Sequence, residues 1–158
     1  MAFSPMDTDK KTGRYSRIVS QLDELLKKSD DITAQMATIS AVLHHKMDYF
    51  FWCGFYRMVE HELIVGPYQG PVACQVLQKN TGVCWAGIRR NETIVVPDVH
   101  LFPGHIACDS RSKSEIVVPV RNSKGEVIAV LDVDSKELNS FDDTDAHFLE
   151  KIVGLINC

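Results

Sequence analysis

Apolar residues recur every three or four positions near the start of the chain, which is the spacing of helices that pack one face against a core. One such stretch, at residues 14–28, predicts an amphipathic helix, and residues 1–13 before it are expected to form a flexible tail. A second stretch runs from Ile32 to Leu43 and predicts a helix that ends near residues 44–47.

An aromatic-rich segment follows, and its composition favours a strand. Residues 49–58 (YFFWCGFYRM) are bounded by polar positions. Strand alternation places Trp52 and Tyr56 on one face of this strand, and Phe51 on the other. A turn at residues 60–61 would lead into a returning strand at residues 62–68.

The clearest β pattern lies in the second half of the chain. Residues 115–120 (EIVVPV) and 126–134 (EVIAVLDVD) are strand-like runs. The short link between them ends in Gly125, which suits the left-handed position of a tight turn. The sequence therefore predicts a β-hairpin here.

The remaining elements complete an α+β pattern. A helix is predicted over residues 82–90, a long irregular connection over 91–113, and a closing helix over 141–156. Ser140 and Asp143 have the spacing of a capping box for this last helix. The order of elements predicts a single domain over residues 14–158, with a central antiparallel sheet flanked by N- and C-terminal helices.

Length and charge narrow the function classes. A chain of 158 residues fits one domain with a sizeable core. Its 17 basic and 21 acidic residues give a net charge of −4, which weighs against binding to nucleic acid or an anionic membrane. The N-terminus lacks the apolar centre of a secretory signal, so we expect a cytoplasmic protein.

The cysteines suggest chemistry rather than a structural framework. The chain contains five of them: Cys53, Cys74, Cys84, Cys108 and Cys158. An odd number without an export signal argues against structural disulfides, because thiols stay reduced in the cytosol. Any one of these residues could still be a small buried apolar side chain.

Cys108 has the surroundings of a reactive thiol. It lies in a polar segment, with His105 before it and Arg111 and Lys113 after it. Positive neighbours lower the pKa of a thiol and favour the thiolate, which is the reactive form. Because two further thiols lie upstream, the pattern suggests attack, a sulfenic acid and then an internal disulfide.

A metal site is the alternative interpretation of the same segment. His100, His105 and Cys108 offer nitrogen and sulfur ligands. Their spacing matches no compact zinc signature, and the chain has no CxxC pair. We therefore expect no bound metal.

Two acids at the end of a buried strand are unusual. Asp132 and Asp134 lie two residues apart and project from the same face. They either lie beyond the buried part of the strand, in water, or form a pocket floor that binds a cation or holds a proton. In the second case crowding raises the pKa of at least one carboxyl. Glu115 could join them, although the strand register is not fixed by sequence.

Trp52 and Tyr56 share one face of their strand and are either core residues or an aromatic wall. A wall beside acids suits a ligand that carries an apolar end and an ammonium, since both features attract cations.

Several motifs together resemble one known family. They are the run from GPYQGPVACQ to SEIVVPV at residues 66–120, then GEVIAVLDVDS and FDDTDAHFLEKI. They resemble the free methionine-(R)-sulfoxide reductases, single GAF domains that reduce the sulfoxide of the free amino acid. Three cysteines spaced by 10 and 24 residues make this resemblance specific.

The resemblance implies a role for each thiol. Cys108 would be the nucleophile that attacks the sulfoxide sulfur, and Cys74 and Cys84 the recycling cysteines, with Cys74 as the first disulfide partner. No bound cofactor is implied. Thioredoxin, supplied with electrons from NADPH through thioredoxin reductase, would be the external reductant.

The resemblance also implies a substrate pocket. Glu115, Asp132 and Asp134 match the substrate-binding acids of the family, and Trp52 and Tyr56 match its pocket wall. GAF domains often dimerise through terminal helices, so a homodimer is compatible with it. The rival interpretation is a non-catalytic GAF sensor that binds a small molecule, which leaves the three spaced thiols unexplained.

Overall fold

One antiparallel sheet of five strands organises the fold, in the spatial order β2-β1-β5-β4-β3. A computed structural model describes residues 7–105 and 108–158. The strands are β1 (Trp52–Val59), β2 (Glu62–Gln69), β3 (Ile94–Val96), β4 (Ser114–Arg121) and β5 (Val127–Ser135). The helices are α1 (Thr8–Leu25), α2 (Ile32–Lys46), α3 (Gly82–Arg90) and α4 (Asp143–Val153). In the described part of the chain, no helix is both long and apolar enough to cross a membrane.

Helices cover both faces of the sheet. On one face, apolar residues of α1, α2 and α4 pack with Cys53, Phe55 and Leu131 into the larger core cluster. On the other face, α3 packs with Trp52 and Tyr56 into a second cluster. The period of two along β1 therefore sorts its residues as the sequence predicted, and the α+β prediction is confirmed.

The first helix begins earlier in the chain than predicted. Helix α1 begins at Thr8, where the Asp7 carboxylate accepts a hydrogen bond from the backbone N–H of Lys10 at 3.0 Å. Residues 8–13, predicted as part of a flexible tail, are therefore helical. Their sequence shows no apolar period. A capping residue and a buried charged side chain stabilise this turn instead of a row of apolar side chains.

That buried charge is Lys11, whose side chain is 1% exposed. Its Nζ donates to Asp145 Oδ2 of α4 at 2.6 Å and to the backbone carbonyl of Ser140 at 3.1 Å. The hydroxyls of Tyr15 and Tyr49 donate to the other oxygen of the same carboxylate. Asp145 is thus a buried acid whose two oxygens are both satisfied.

The start of α4 also differs from the prediction. The helix begins at Asp143, and its capping box is formed by Asp142 and Asp145 instead of Ser140 and Asp143. Ser140 turns inward and donates to the hydroxyl of Ser135 at 2.6 Å. A serine needed for a buried hydrogen bond is not available as a cap.

The segment of residues 91–113, predicted as an irregular connection, contains a short strand. Three residues, Ile94–Val96, pair with β4 and form the edge of the sheet. A strand this short carries too little alternation to be recognised from sequence.

Loss of the Lys11 ammonium should destabilise the fold strongly. Lys11→Met leaves the buried Asp145 carboxylate without its cation, and breaking a buried pair in this way costs about 3–5 kcal/mol. Lys10→Met, one residue earlier and exposed, should change the free energy of unfolding by only about 0.5 kcal/mol. Urea denaturation of both variants measures this. Equal effects of the two substitutions would contradict the assigned role of the ion pair.

Candidate functional site

The strand register brings the predicted acids together. On the central strand β5, Asp134 lies opposite Trp52 of β1 on one side and opposite Glu115 of β4 on the other. Asp132 lies opposite Gly54 of β1 in the same way. Because paired positions share a face, the three acids and the tryptophan form one continuous surface.

Gly54 is required by the close approach of β2. A Cβ atom at this position would lie 2.2 Å from the Cβ of Tyr68, so no other residue fits without moving the strand. The Tyr68 ring consequently stacks on Trp52 with centroids 5.1 Å apart, and Trp52 stacks on Tyr56 at 5.7 Å. The aromatic wall therefore extends behind the two predicted rings to Tyr68, a residue of the GPYQGP motif that the sequence pattern did not predict as part of the wall.

A cavity of about 240 Å³ lies over this surface. Its floor contains Glu115, Asp132 and Asp134, and its wall contains Trp52 and Tyr56. The remaining sides are formed by the first turn of α3, by the segment of residues 72–81 before it, and by four residues that follow β3: His105, Cys108, Asp109 and Ser112. The cavity is small, which suits an occupant the size of an amino acid.

Phe51 also lines the cavity, whereas alternation along β1 predicted it on the opposite face. That expectation is wrong because the strand begins only at Trp52, so the pleat does not fix the preceding side chain. The backbone N–H of Phe51 donates to the carbonyl of Asp134 at 2.9 Å, which ties this residue to the acidic floor.

Both aspartates lie within β5 rather than beyond its end; Glu115 and Asp132 are buried, and Asp134 is half-buried. Glu115 and Asp132 are each 5% exposed. Burial raises the pKa of Glu115 well above its ordinary value, and the neighbouring charges of Asp132 and Asp134 raise it further. Burial raises the pKa of Asp132 and Asp134 as well. The interpretation that these acids lie in water is therefore wrong, and the cluster can retain a proton near neutral pH.

The acidic floor is not matched by basic side chains in the described part of the cavity lining. Among the described residues that line the cavity there is no lysine or arginine. The Oδ1 atom of Asp132 is buried and has no hydrogen-bond partner. An occupant that carries positive charge or donates hydrogen bonds would satisfy this atom.

The mouth of the cavity carries a disulfide between Cys74 and Cys108, with Cα atoms 5.7 Å apart. Cys108 is exposed, whereas Cys74 is half-buried. The pairing is the one implied by the resemblance. Two chain segments separated by 34 residues are joined there.

The positive neighbours of Cys108 have other partners. The Arg111 guanidinium donates to the Asp109 carboxylate at 2.7 Å and lies 4.9 Å over the Phe51 ring. Burial lowers the pKa of His105, which favours its neutral form. The charge of Arg111 is therefore compensated by Asp109 rather than directed at the cysteine.

Cys84 sits inside the pocket, in the first turn of α3. Its sulfur and carboxylate oxygens of Glu115 and Asp132 all lie within 4.8 Å of one another. The helix comes this close because Gly87 lacks a Cβ, which would lie 2.9 Å from a Val117 methyl group. Burial and the adjacent carboxylates raise the pKa of the Cys84 thiol, so it stays protonated.

The alternative metal set predicted from sequence does not assemble among the described residues. The Cys108 sulfur is bonded to Cys74, and His100 Nδ1 lies 2.9 Å from an Asp98 oxygen. The donor atoms that converge are those of Cys84, Glu115 and Asp132.

Most of the chain is similar to proteins of known families. It matches the GAF domain family over residues 29–157. It is 44% identical over 148 residues to GAF domain-containing protein A of Dictyostelium discoideum, which covers 93% of this chain and 92% of that protein. It is 37% identical over 143 residues to free methionine-R-sulfoxide reductase of Escherichia coli. The match covers 90% of this chain and 86% of that protein.

A solved structure shows the same similarity in fold and sequence. The X-ray structure of free methionine-R-sulfoxide reductase from Neisseria meningitidis in complex with its substrate matches with a TM-score of 0.88 at 38% identity, over 98% of this chain and 92% of that one. The chain belongs to the free methionine-(R)-sulfoxide reductase family of GAF domains. The resemblance found in the sequence motifs is thereby confirmed.

The acidic floor of this GAF domain should make its stability depend on pH. The folded state holds protons that the unfolded chain releases above the ordinary carboxyl range, so the free energy of unfolding should fall as pH rises from about 5 to about 8. In Glu115→Gln this fall should be smaller, because one of the buried acids is gone. Urea denaturation at pH values of about 5 and about 8 measures this change in the free energy of unfolding.

The matched control is Glu126→Gln, which changes an exposed glutamate at the hairpin turn. It should leave the pH dependence of the parent chain unaltered. A Glu115→Gln protein with the same pH slope as the parent would show that Glu115 is not held protonated.

Proposed function

We propose that this chain reduces free L-methionine-(R)-sulfoxide to L-methionine, with Cys108 as the nucleophile. The observation that carries the proposal is the position of the Cys74–Cys108 disulfide at the mouth of a pocket with three acids on its floor. A thiol pair and a buried acid in one cavity are the two components that sulfoxide reduction needs. Membership of the reductase family supports the same reaction.

The pocket offers complementary contacts to the free amino acid. Ionised carboxylates on the floor attract the substrate ammonium, and the stacked rings of Trp52 and Tyr56 attract cations and cover apolar groups. A peptide-bound methionine sulfoxide lacks the free ammonium. A cavity of about 240 Å³ with this charge therefore favours the free amino acid over a protein side chain.

The first chemical step moves oxygen from the substrate to the enzyme. The Cys108 thiolate attacks the sulfoxide sulfur, and a protonated acid of the floor donates a proton to the oxygen, which otherwise leaves poorly. Glu115 suits this role because burial raises the pKa of its carboxyl. The protonated oxygen then passes to the Cys108 sulfur: the S–S bond formed in the attack and the substrate S–O bond break, and a Cys108 S–O bond forms. Methionine departs with its sulfur reduced by two electrons, and Cys108 is left as a sulfenic acid.

The second step closes the disulfide. The Cys74 thiol attacks the sulfenic sulfur of Cys108, water leaves, and the two sulfurs are joined. Cys74 is better placed than Cys84, whose thiol is buried and has a raised pKa. A dithiol protein such as thioredoxin then attacks the disulfide and restores both thiols, with NADPH as the source of two electrons.

The test is NADPH oxidation coupled through thioredoxin reductase and thioredoxin. Oxidation should occur with free L-methionine-(R)-sulfoxide and not with the (S) epimer. Cys108→Ser should abolish it, because serine cannot form the sulfenic acid or the disulfide. Cys158→Ser, which changes an exposed thiol outside the pocket, is the matched control and should keep the parent rate.

Thiol titration gives an independent readout. The reduced enzyme should lose two thiols for each sulfoxide consumed when no reductant is present. If neither epimer is reduced, even with dithiothreitol in place of thioredoxin, and no thiols are lost, the reductase proposal fails. The pocket would then be that of a GAF sensor for a small molecule.

A further inference from the structure

We propose that the pocket also binds a divalent cation of the zinc type, held by Cys84, Glu115 and Asp132. These residues come from three different elements, α3, β4 and β5, so the site exists only in the folded chain. One sulfur and two carboxylate oxygens, all within 4.8 Å of one another, are close enough to share one ion. Asp134, adjacent on the floor, is a further oxygen donor.

A second observation, independent of the grouping of donor atoms, also indicates that the pocket holds an occupant. Asp132 is 5% exposed, and its Oδ1 atom has no hydrogen-bond partner. The described residues lining the cavity contribute no lysine or arginine to offset the three carboxyls. A cation at this point satisfies Asp132 and removes the mutual repulsion of the acids.

The donor set selects the class of ion. Mg²⁺ and Ca²⁺ take oxygen ligands, and Ca²⁺ takes six to eight of them. A thiolate with two carboxylates suits Zn²⁺ or Cd²⁺, which bind sulfur and oxygen and accept three protein ligands with a fourth position open. Binding displaces the Cys84 proton and any proton on the two carboxyls, and nothing is oxidised or reduced.

The consequence for the reaction rests on the proposed function. An ion on Asp132 and Glu115 occupies the place where the substrate ammonium and the transferred proton are needed. Zinc should therefore raise the apparent KM for the sulfoxide, and a chelator should restore it. Binding of the ion itself does not depend on the reaction.

Cadmium binding to the oxidised chain gives the direct test, because the closed Cys74–Cys108 disulfide removes those two sulfurs as ligands. Three thiols remain, of which Cys53 is fully buried in the other core cluster and Cys158 is exposed. Titration with Cd²⁺ should produce the ultraviolet charge-transfer absorption of a cadmium–thiolate bond, saturating at a single ion per chain. Cys84→Ser should abolish the absorption, and Cys158→Ser should leave it intact.

A variant of one carboxylate ligand tests the oxygen side of the site. Asp132→Asn should weaken Cd²⁺ binding at least tenfold, since loss of even an outer partner of a metal ligand costs roughly 10–100-fold in affinity. Far-ultraviolet circular dichroism of each variant checks that it is folded. Weakened binding in Asp132→Asn, with the absorption retained at higher Cd²⁺, would support the site.

Two results would overturn the proposal. One is the absence of any absorption in the parent chain at Cd²⁺ concentrations well above that of the protein. The other is absorption that persists in Cys84→Ser and disappears in Cys158→Ser, which would place the ion on the exposed C-terminal thiol. A chain that binds Cd²⁺ through Cys84 but reduces no sulfoxide would keep this site and reject the proposed reaction.

Discussion

The rest of this structure depends on one constraint: the carboxyls of Glu115 and Asp132 are buried beside the half-buried Asp134, and the described residues that line their cavity include no lysine or arginine. The fold also contains a buried acid that is fully compensated: Asp145 accepts from Lys11, Tyr15 and Tyr49. Asp132 has no such partners for its Oδ1 atom. Because the same chain can satisfy a buried acid completely, the unpaired acid of the pocket indicates a site for an occupant rather than a limitation of the fold.

The elements around the acids hold them against their mutual repulsion. Ser114 and Ser135 face each other one position away from the acids and point to the opposite side of the sheet. Ser114 donates to the carbonyl of Glu137 at 2.5 Å, and Ser140 donates to Ser135 at 2.6 Å. These hydrogen bonds fix the strand ends that carry Glu115 and Asp134, which keeps the two carboxyls on one face of the sheet.

Sequence patterns predicted the large elements because those elements are regular. Helix α3 and the hairpin of β4 and β5 follow apolar periods, and the predicted bounds agree to within one residue. The patterns failed where a few specific contacts replace periodicity, as with the buried Lys11 and the short strand β3. Motif spacing identified the family and brought the site residues into consideration. It could not supply the register, which alone places Asp134 between Trp52 and Glu115.

The proposed occupants of the pocket share one property, which is positive charge. A proton, the ammonium of an amino acid and a divalent ion each supply positive charge to the same three carboxyls, so they compete. What separates them is Cys84: its sulfur lies against Glu115 and Asp132 and favours a soft ion over an ammonium, which cannot bond to it. The unpaired Oδ1 atom of Asp132, which the proposed substrate would satisfy, is for the same reason an atom that the proposed metal ion would bind. The Cys84 thiol beside it would then decide how tightly that ion competes.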